Sequence, residues 1–121
     1  AIVGCGGSLP VPDRTPGRTE SYVAVTAPPP PPRPEVVPAR PGEDAVWQDG
    51  EWSWDGTRYR WTNGAWVAPA PGLKLAPWAL VRRSDGQLFY SPSVWYDASG
   101  AVAPAPTPIV SAVTPRFSSA P

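Results

Sequence analysis

The stretch WQDGEWSWDGTRYRWTNGAW, residues 47–66, carries the clearest structural signal in this chain of 121 residues. Aromatic and polar residues alternate along much of it, and three Asx-Gly pairs interrupt it, at Asp49-Gly50, Asp55-Gly56 and Asn63-Gly64. A period of two is typical of a half-buried strand, and an Asx-Gly pair is a strong signal for a two-residue hairpin loop. The stretch is therefore predicted to form β structure.

If each Asx-Gly pair closes a two-residue loop, the three loops fix three strand registers. They pair Trp47 with Trp52, Trp52 with Tyr59, and Trp61 with Trp66. Because side chains alternate across a strand, the aromatic residues then share one face, formed by Trp47, Trp52, Trp54, Tyr59, Trp61 and Trp66. The opposite face carries Gln48, Glu51, Ser53, Arg58, Arg60 and Thr62.

The residues that follow favour more strands of the same kind. Short apolar runs lie around Asp85-Gly86, at residues 79–83, 87–90 and 94–96, and no window shows the 3.6-residue period of an amphipathic helix. We predict an all-β fold, a small antiparallel meander of short hairpins over residues 45–103, which contain every tryptophan of the chain.

The aromatic face needs a cover, because six such side chains would expose on the order of 1,000 Å². A soluble monomer usually tolerates a contiguous apolar patch of only a few hundred Å². One interpretation is that the later strands cover the face as a core. The other leaves part of it open as a platform for a glycan, a cell-wall ligand or a proline-rich peptide. The segment Pro28–Pro34 of the same chain is a candidate for that peptide.

The flanking segments are rich in proline, which accounts for 20 residues of the chain. Residues 6–44 are predicted to be a proline-rich linker, with a polyproline II run at Pro28–Pro34. Within it, only Tyr22–Val25 could add an edge strand. Residues 104–121 are predicted to be a disordered tail rich in Pro, Ala and Ser, because this composition buries too little apolar surface to form a core.

The residues Ile2-Val3-Gly4-Cys5 resemble the lipobox of bacterial lipoproteins, with an apolar residue three positions before a cysteine and a small one directly before it. The resemblance implies that residues 1–5 are the remnant of a signal peptide and that Cys5 is acylated after cleavage. It also implies a membrane tether on the periplasmic or outer side. Gly6 stands where an Asp would imply retention at the inner membrane, so the resemblance points to the outer membrane.

The segments Trp47-x-x-Gly50-x-Trp52 and Trp61-x-x-Gly64-x-Trp66 form a short internal repeat. This repeat resembles the W-x-x-G-x-W repeats of secreted bacterial proteins and lipoproteins. The resemblance implies a β fold and a location in the cell envelope, and it implies no particular activity.

The composition argues against catalysis, metal binding and nucleic-acid binding. The chain has no histidine and a single cysteine, and its ten basic and ten acidic residues balance. Asp49 and Asp55 are interpreted as turn formers, and Glu51 as a solvated partner of Arg58 or Arg60. We therefore expect a non-catalytic envelope lipoprotein without cofactor or metal. Its role would be structural or in binding another envelope protein; the alternative is a binding module that uses the aromatic face.

Overall fold

The computed structural model describes residues 9–113 and confirms the all-β class, with strands that pair antiparallel in small sheets. The helical element among these residues is a single 3-10 turn, Thr19–Ser21. The strands are β1 (Val23–Val25), β2 (Val46–Gln48), β3 (Glu51–Trp54), β4 (Tyr59–Thr62), β5 (Ala65–Val67), β6 (Lys74–Ala76), β7 (Ala79–Arg82), β8 (Leu88–Ser91), β9 (Val94–Tyr96), β10 (Val102–Ala103) and β11 (Val110–Ser111). The predicted lipidation site, Cys5, and the tail beyond residue 113 lie outside the described residues.

Strands β2 to β5 form one long hairpin, the first hairpin, instead of three short ones. The arm β2–β3 runs antiparallel to the arm β4–β5 in a single register, and only residues 55–58 reverse the chain. The aromatic pairs in this register are Trp47 with Trp66, Trp52 with Trp61, and Trp54 with Tyr59. The predicted loops at Asp49-Gly50 and Asn63-Gly64 are therefore wrong, and the register predicted for the central loop is shifted.

Gly50 and Gly64 explain why their Asx-Gly pairs do not reverse the chain. Neither glycine has the positive φ that a type I′ turn needs, whereas Gly56 in the true loop does. A Cβ atom on Gly64 would lie 2.7 Å from the Trp47 ring and 2.8 Å from the backbone nitrogen of Gly50. A Cβ atom on Gly50 would lie 2.5 Å from the Trp61 ring. We call this point the glycine crossing, because the two arms approach too closely there for any side chain.

The W-x-x-G-x-W repeat follows from the symmetry of the glycine crossing. Trp47 of the first copy covers Gly64 of the second copy and packs edge-to-face on Trp66. Trp61 of the second copy covers Gly50 of the first copy and packs edge-to-face on Trp52. The ring centroids are 5.4 Å apart for Trp47 and Trp66, and 5.2 Å apart for Trp52 and Trp61. The indole N–H of each first tryptophan also donates to the Asx residue two positions later, at 3.0 Å for Trp47 to Asp49 and 2.9 Å for Trp61 to Asn63.

Residues 74–96 form a second hairpin with the same architecture. The arm β6–β7 runs antiparallel to the arm β8–β9, again in one register that continues across an interruption. The pair Leu80 and Tyr90 takes the place that Trp52 and Trp61 have in the first hairpin. The strands predicted at residues 79–83, 87–90 and 94–96 are confirmed as β7, β8 and β9.

Segments outside the predicted 45–103 unit complete the sheets. Strand β1 pairs with β8, and β11 pairs with β5. The extended segment from Pro10 to Thr15 runs along the outer edges of β2 and β6, where the Pro10 carbonyl oxygen accepts from Trp47 N at 2.7 Å and that of Asp13 accepts from Leu75 N at 2.8 Å. The described part of the predicted linker, residues 9–44, is therefore part of the folded unit. Proline blocks regular sheet pairing, but its carbonyls still accept hydrogen bonds.

Within residues 9–113 the core consists of three small clusters instead of one. Trp47 and Trp66 pack with Ala45 and Ala112, a residue of the carboxy-terminal segment. Ala65 and Val67 of the first hairpin pack with Leu75 and Trp95 of the second. In the third cluster, Trp54, Tyr59 and Leu80 pack against the buried residues Val25, Leu88 and Tyr90. The predicted aromatic face is thus covered in part by the later strands, and also by both flanking segments.

Candidate binding surface

The six predicted aromatic residues divide into a buried pair and a half-buried group. Trp47 and Trp66 are only 3% and 2% exposed. The half-buried group, Trp52, Trp54, Tyr59 and Trp61, lies on one side of the β3–β4 ribbon, because directly opposed residues and alternate residues share a side. We call this group the aromatic ribbon. It retains the sidedness that the sequence predicts, whereas the predicted six-residue face is divided at the glycine crossing.

Residues 27–38, which we call the proline strap, lie against the aromatic residues. Three side-chain donors reach its backbone carbonyl oxygens: Trp52 Nε1 to Pro31 at 3.0 Å, the Tyr59 hydroxyl to Ala27 at 2.6 Å, and Trp66 Nε1 to Pro38 at 2.8 Å. The segment that the sequence suggested as a ligand in cis is therefore in contact with the aromatic ribbon. The Tyr59 hydroxyl is protonated at neutral pH, because its ordinary pKa is 10.0 and burial raises that pKa further.

Charged groups of the proline strap add contacts beyond the middle of the segment. The carboxylate of Glu35 accepts from the backbone N–H of Gly64, with oxygens at 3.0 and 3.2 Å. The guanidinium carbon of Arg33 lies 5.0 Å from the centroid of the Trp52 ring, within the range of a cation–π contact. Val36 also forms an isolated antiparallel bridge with Val113. The strap is thus held on both sides of its proline run.

An apolar slot of about 390 Å³ lies between the strap and the ribbon. Its lining includes Pro28–Pro32, Trp52, Trp61, Trp78 and Leu80. Trp78 is 40% exposed and stacks on Tyr90, with ring centroids 6.2 Å apart. Trp78 stands outside the W-x-x-G-x-W repeat, so the repeat does not identify it as part of the aromatic surface. The sequence feature that could have identified Trp78 is its position between two apolar runs, directly after Pro77.

Glu51 has a different environment from the predicted one. Its carboxylate accepts from the backbone N–H of Ser93, at 3.2 Å, and from the Ser93 hydroxyl. Burial raises the pKa of Glu51, and the bonds from Ser93 oppose that shift only in part. Arg60, a predicted partner, instead pairs with Asp55 at 2.7 Å. The prediction of a solvated ion pair for Glu51 is therefore wrong, because Ser93 of the second hairpin covers it.

The interpretation of Asp55 as a turn former is confirmed. Its carboxylate accepts from the backbone N–H groups of Thr57, at 2.9 Å, and Arg58, at 3.0 Å. These bonds and the Arg60 guanidinium hold the pKa of Asp55 well below its ordinary value. Asp49 instead accepts from the indole of Trp47 at the glycine crossing, where the chain does not turn.

Tyr90 connects the two hairpins beneath the aromatic ribbon. Its ring packs edge-to-face on Tyr59 at 5.7 Å, and its hydroxyl donates to the carbonyl oxygen of Trp52. Burial and the nearby charge of Glu51 raise the pKa of Tyr90. The hydroxyl therefore keeps its proton, and this bond fixes the ribbon to the second hairpin.

No protein-family model, curated protein or solved structure matches the chain. In residues 9–113, no three His, Cys, Asp or Glu side chains are grouped so that they could hold a metal ion. Over the same range, no helix has the length and apolar character needed to cross a membrane.

Proposed function

We propose that this protein is a non-catalytic interaction module of the bacterial cell envelope, tethered through Cys5, whose aromatic ribbon binds proline-rich chain. The observation that carries the binding role is the pair of hydrogen bonds from Trp52 and Tyr59 of the ribbon to carbonyl oxygens of the proline strap, which a third bond from the buried Trp66 supplements. A proline-rich segment offers carbonyls and apolar rings but few N–H groups. Aromatic side chains that carry a donor at one edge suit such a segment, as in other grooves that bind polyproline II helices.

A length-matched replacement of Pro28–Pro32 by Gly-Ser-Gly-Ser-Gly tests the binding role in the full chain. It keeps the backbone carbonyls but removes the rings and the preference for polyproline II. We expect red-shifted tryptophan emission and a lower melting temperature, because Trp52 and Trp61 lose their apolar cover. A synthetic peptide of residues 26–38 should restore the emission of the variant but leave that of the wild type unchanged. An unchanged spectrum and melting temperature in the variant would contradict the binding role.

The envelope location rests on the resemblance of residues 2–5 to a lipobox. It is tested by expressing the protein from its complete gene, with and without the substitution Cys5→Ala. We expect the wild type in the membrane fraction with the mass of an acylated cysteine, and the variant in the soluble fraction without that mass. Equal fractionation without an acyl mass would contradict the tether.

The apolar slot supports a second candidate function, in which the same surface takes a ligand from outside the chain. Indole faces such as those of Trp52, Trp61 and Trp78 stack on sugar rings, and the slot beside them is about 390 Å³. Acrylamide quenching with and without soluble cell-wall glycan separates the two candidates. Protection of tryptophan by the glycan would favour a glycan platform, and its absence would favour the strap as the ligand.

A further inference from the structure

The glycine crossing holds a carboxylate that comes from the proline strap. The two oxygens of Glu35 accept from the backbone N–H of Gly64, at 3.0 and 3.2 Å. Gly64 is buried, and a buried backbone N–H that lacks an acceptor costs free energy. In residues 9–113 no salt bridge includes Glu35, so this carboxylate is bound by the backbone of the first hairpin and not by a lysine or an arginine.

Gly50 leaves the space that the carboxylate occupies. A Cβ atom on Gly50 would lie 2.8 Å from Glu35 Oε1, closer than a side chain can approach. It would also lie 2.9 Å from Gly64 N, the donor to the carboxylate. The glycines of the two W-x-x-G-x-W copies therefore act together in one site, because Gly64 supplies the donor and Gly50 leaves room for the acceptor.

Glu35 is also the residue through which the first hairpin distinguishes one proline-rich sequence from another. The hydrogen bonds from Trp52, Tyr59 and Trp66 end on backbone carbonyl oxygens, which every residue has. Carbonyls recur three per turn along a polyproline II helix, so these bonds alone do not identify a sequence. Among the described residues, the Glu35 carboxylate forms the only hydrogen bonds made by a side chain of the strap.

We propose that the glycine crossing is a carboxylate site, and that it selects proline-rich chain with a glutamate four residues after the proline bonded to Trp52. In the strap these two residues are Glu35 and Pro31. The selection rests on the proposed function, in which the aromatic ribbon binds proline-rich chain. A hydrogen bond to a charged carboxylate is stronger than one between neutral groups. A chain with its glutamate elsewhere leaves the buried N–H of Gly64 without this acceptor.

The selection is tested in a variant of the full chain in which a Gly-Ser sequence of equal length replaces residues 28–35. Three peptides of residues 26–38 are titrated into it while tryptophan fluorescence is followed. They are the wild-type sequence, the Glu35→Gln sequence, and a sequence in which Glu35 and Val37 are exchanged, which keeps the composition and the net charge. We expect the wild-type peptide to bind and the other two to bind about tenfold more weakly or less. Equal affinity of the three peptides would overturn the selection.

The carboxylate site is tested separately, in the full chain with its own strap. Glu35→Gln removes the charge and keeps the shape of the side chain, and Glu43→Gln, at an exposed carboxylate outside the strap, is the control. In Glu35→Gln we expect an upfield shift of the Gly64 amide proton. We also expect its exchange with solvent to become about tenfold faster relative to that of the Val67 amide in β5. The control should show neither change.

The two measurements keep the possible failures apart. An unchanged Gly64 amide in Glu35→Gln, or equal changes in both variants, would overturn the carboxylate site. If the Gly64 amide responds as expected but none of the three peptides binds, the proposed function is contradicted and the selection with it. If the peptides bind with equal affinity, the proposed function stands and the selection alone is overturned.

Discussion

At the scale of the residue, Gly50 and Gly64 determine the path of the chain. An Asx-Gly pair suits a hairpin loop because glycine tolerates positive φ, but neither Gly50 nor Gly64 has a positive φ here. Glycine is needed at both positions because the opposite arm leaves no room for a Cβ atom. Trp47 and Trp61 occupy the space that a side chain would need. The spacing repeated in the two W-x-x-G-x-W copies of this chain is therefore a packing rule, in which an indole and a glycine from opposite arms fit together.

The first prediction concerns this fit. Gly64→Ala places a methyl group 2.7 Å from the Trp47 ring and 2.8 Å from the Gln48 carbonyl oxygen, so the arms must separate. We expect a loss of about 2 to 3 kcal/mol in the free energy of unfolding, as for overpacked cores. Urea denaturation followed by tryptophan fluorescence measures it. Gly17→Ala is the control, because the nearest atom lies 3.9 Å away, and equal stability of the two variants would contradict the packing rule.

The second prediction concerns the pH dependence of stability at Glu51. Burial raises its pKa in the folded protein above the ordinary value of 4.5, so the folded state binds this proton more tightly than the unfolded state. Ionisation therefore opposes folding, and this contribution destabilises the protein as the pH rises from below 4.5 through the raised folded value.

Glu51→Gln cannot ionise, so its melting temperature should rise relative to that of the wild type across this pH window and level off above it. Thermal melts of both proteins between about pH 3.5 and pH 8 measure the difference. The lowered pKa values of Asp55, Asp85 and Asp97 have the opposite effect, but they are common to both proteins and cancel in the comparison. A difference that stays constant with pH would contradict the burial of Glu51.

At the scale of the element, β1 shows that the amino-terminal segment is structural. Val25 is 3% exposed and packs with Leu88 and Tyr90, whereas Val23 of the same strand is 45% exposed. The third prediction is that Val25→Ala costs about 2 kcal/mol, for two buried methyl groups, and that Val23→Ala costs less than about 0.5 kcal/mol. Urea denaturation of both variants measures this. Equal and negligible effects would mean that β1 contributes nothing to stability.

The sequence predicted the class of these elements and the sidedness of the ribbon, but not how the arms pair. Side-chain alternation places Trp52 and Trp54 on the same side of the strand in any register. The predicted sidedness is therefore correct even though the predicted loop positions are wrong. The choice between a loop and a glycine crossing depends on what the opposite arm brings to Gly50, and local spacing does not contain this information. Glu51 was misplaced for the same reason, because its partner Ser93 lies 42 residues further along the chain.

The contact between the strap and the ribbon could be suggested from composition, since proline-rich chain and exposed indoles occur together. Composition does not predict the register of this contact, that is, which carbonyl oxygen of the strap each aromatic side chain reaches. The Trp52 indole donates to the carbonyl oxygen of Pro31, one of five consecutive prolines. The position of Pro31 opposite Trp52 follows from the hydrogen bonds on either side of it, from Trp66 to the Pro38 carbonyl and from Tyr59 to the Ala27 carbonyl. All three depend on the tertiary positions of β3, β4 and β5.

At the scale of the whole molecule, three small clusters are held together by segments from both flanks. The fourth prediction is that a fragment of residues 45–103, the unit that the sequence predicts, does not fold cooperatively. It lacks Val25 of the third cluster and Ala112 of the first, and it leaves β5 and β8 without their outer partners. Near-ultraviolet circular dichroism and urea titration compare it with residues 9–113. A cooperative transition of equal midpoint in the fragment would contradict this account.

The bridge between Val36 and Val113 has a consequence for biosynthesis. The ribosome synthesises the chain from its amino terminus, so Val36 is made well before its partner Val113. The Trp66 carbonyl oxygen is likewise made before Ile109, whose N–H donates to it. Pairings between such distant residues carry a large loop-closure entropy and form slowly. The contacts of Val36 with Val113, and of the Trp66 carbonyl oxygen with Ile109, therefore form only after residues 109–113 have been synthesised, later than the pairing within either hairpin.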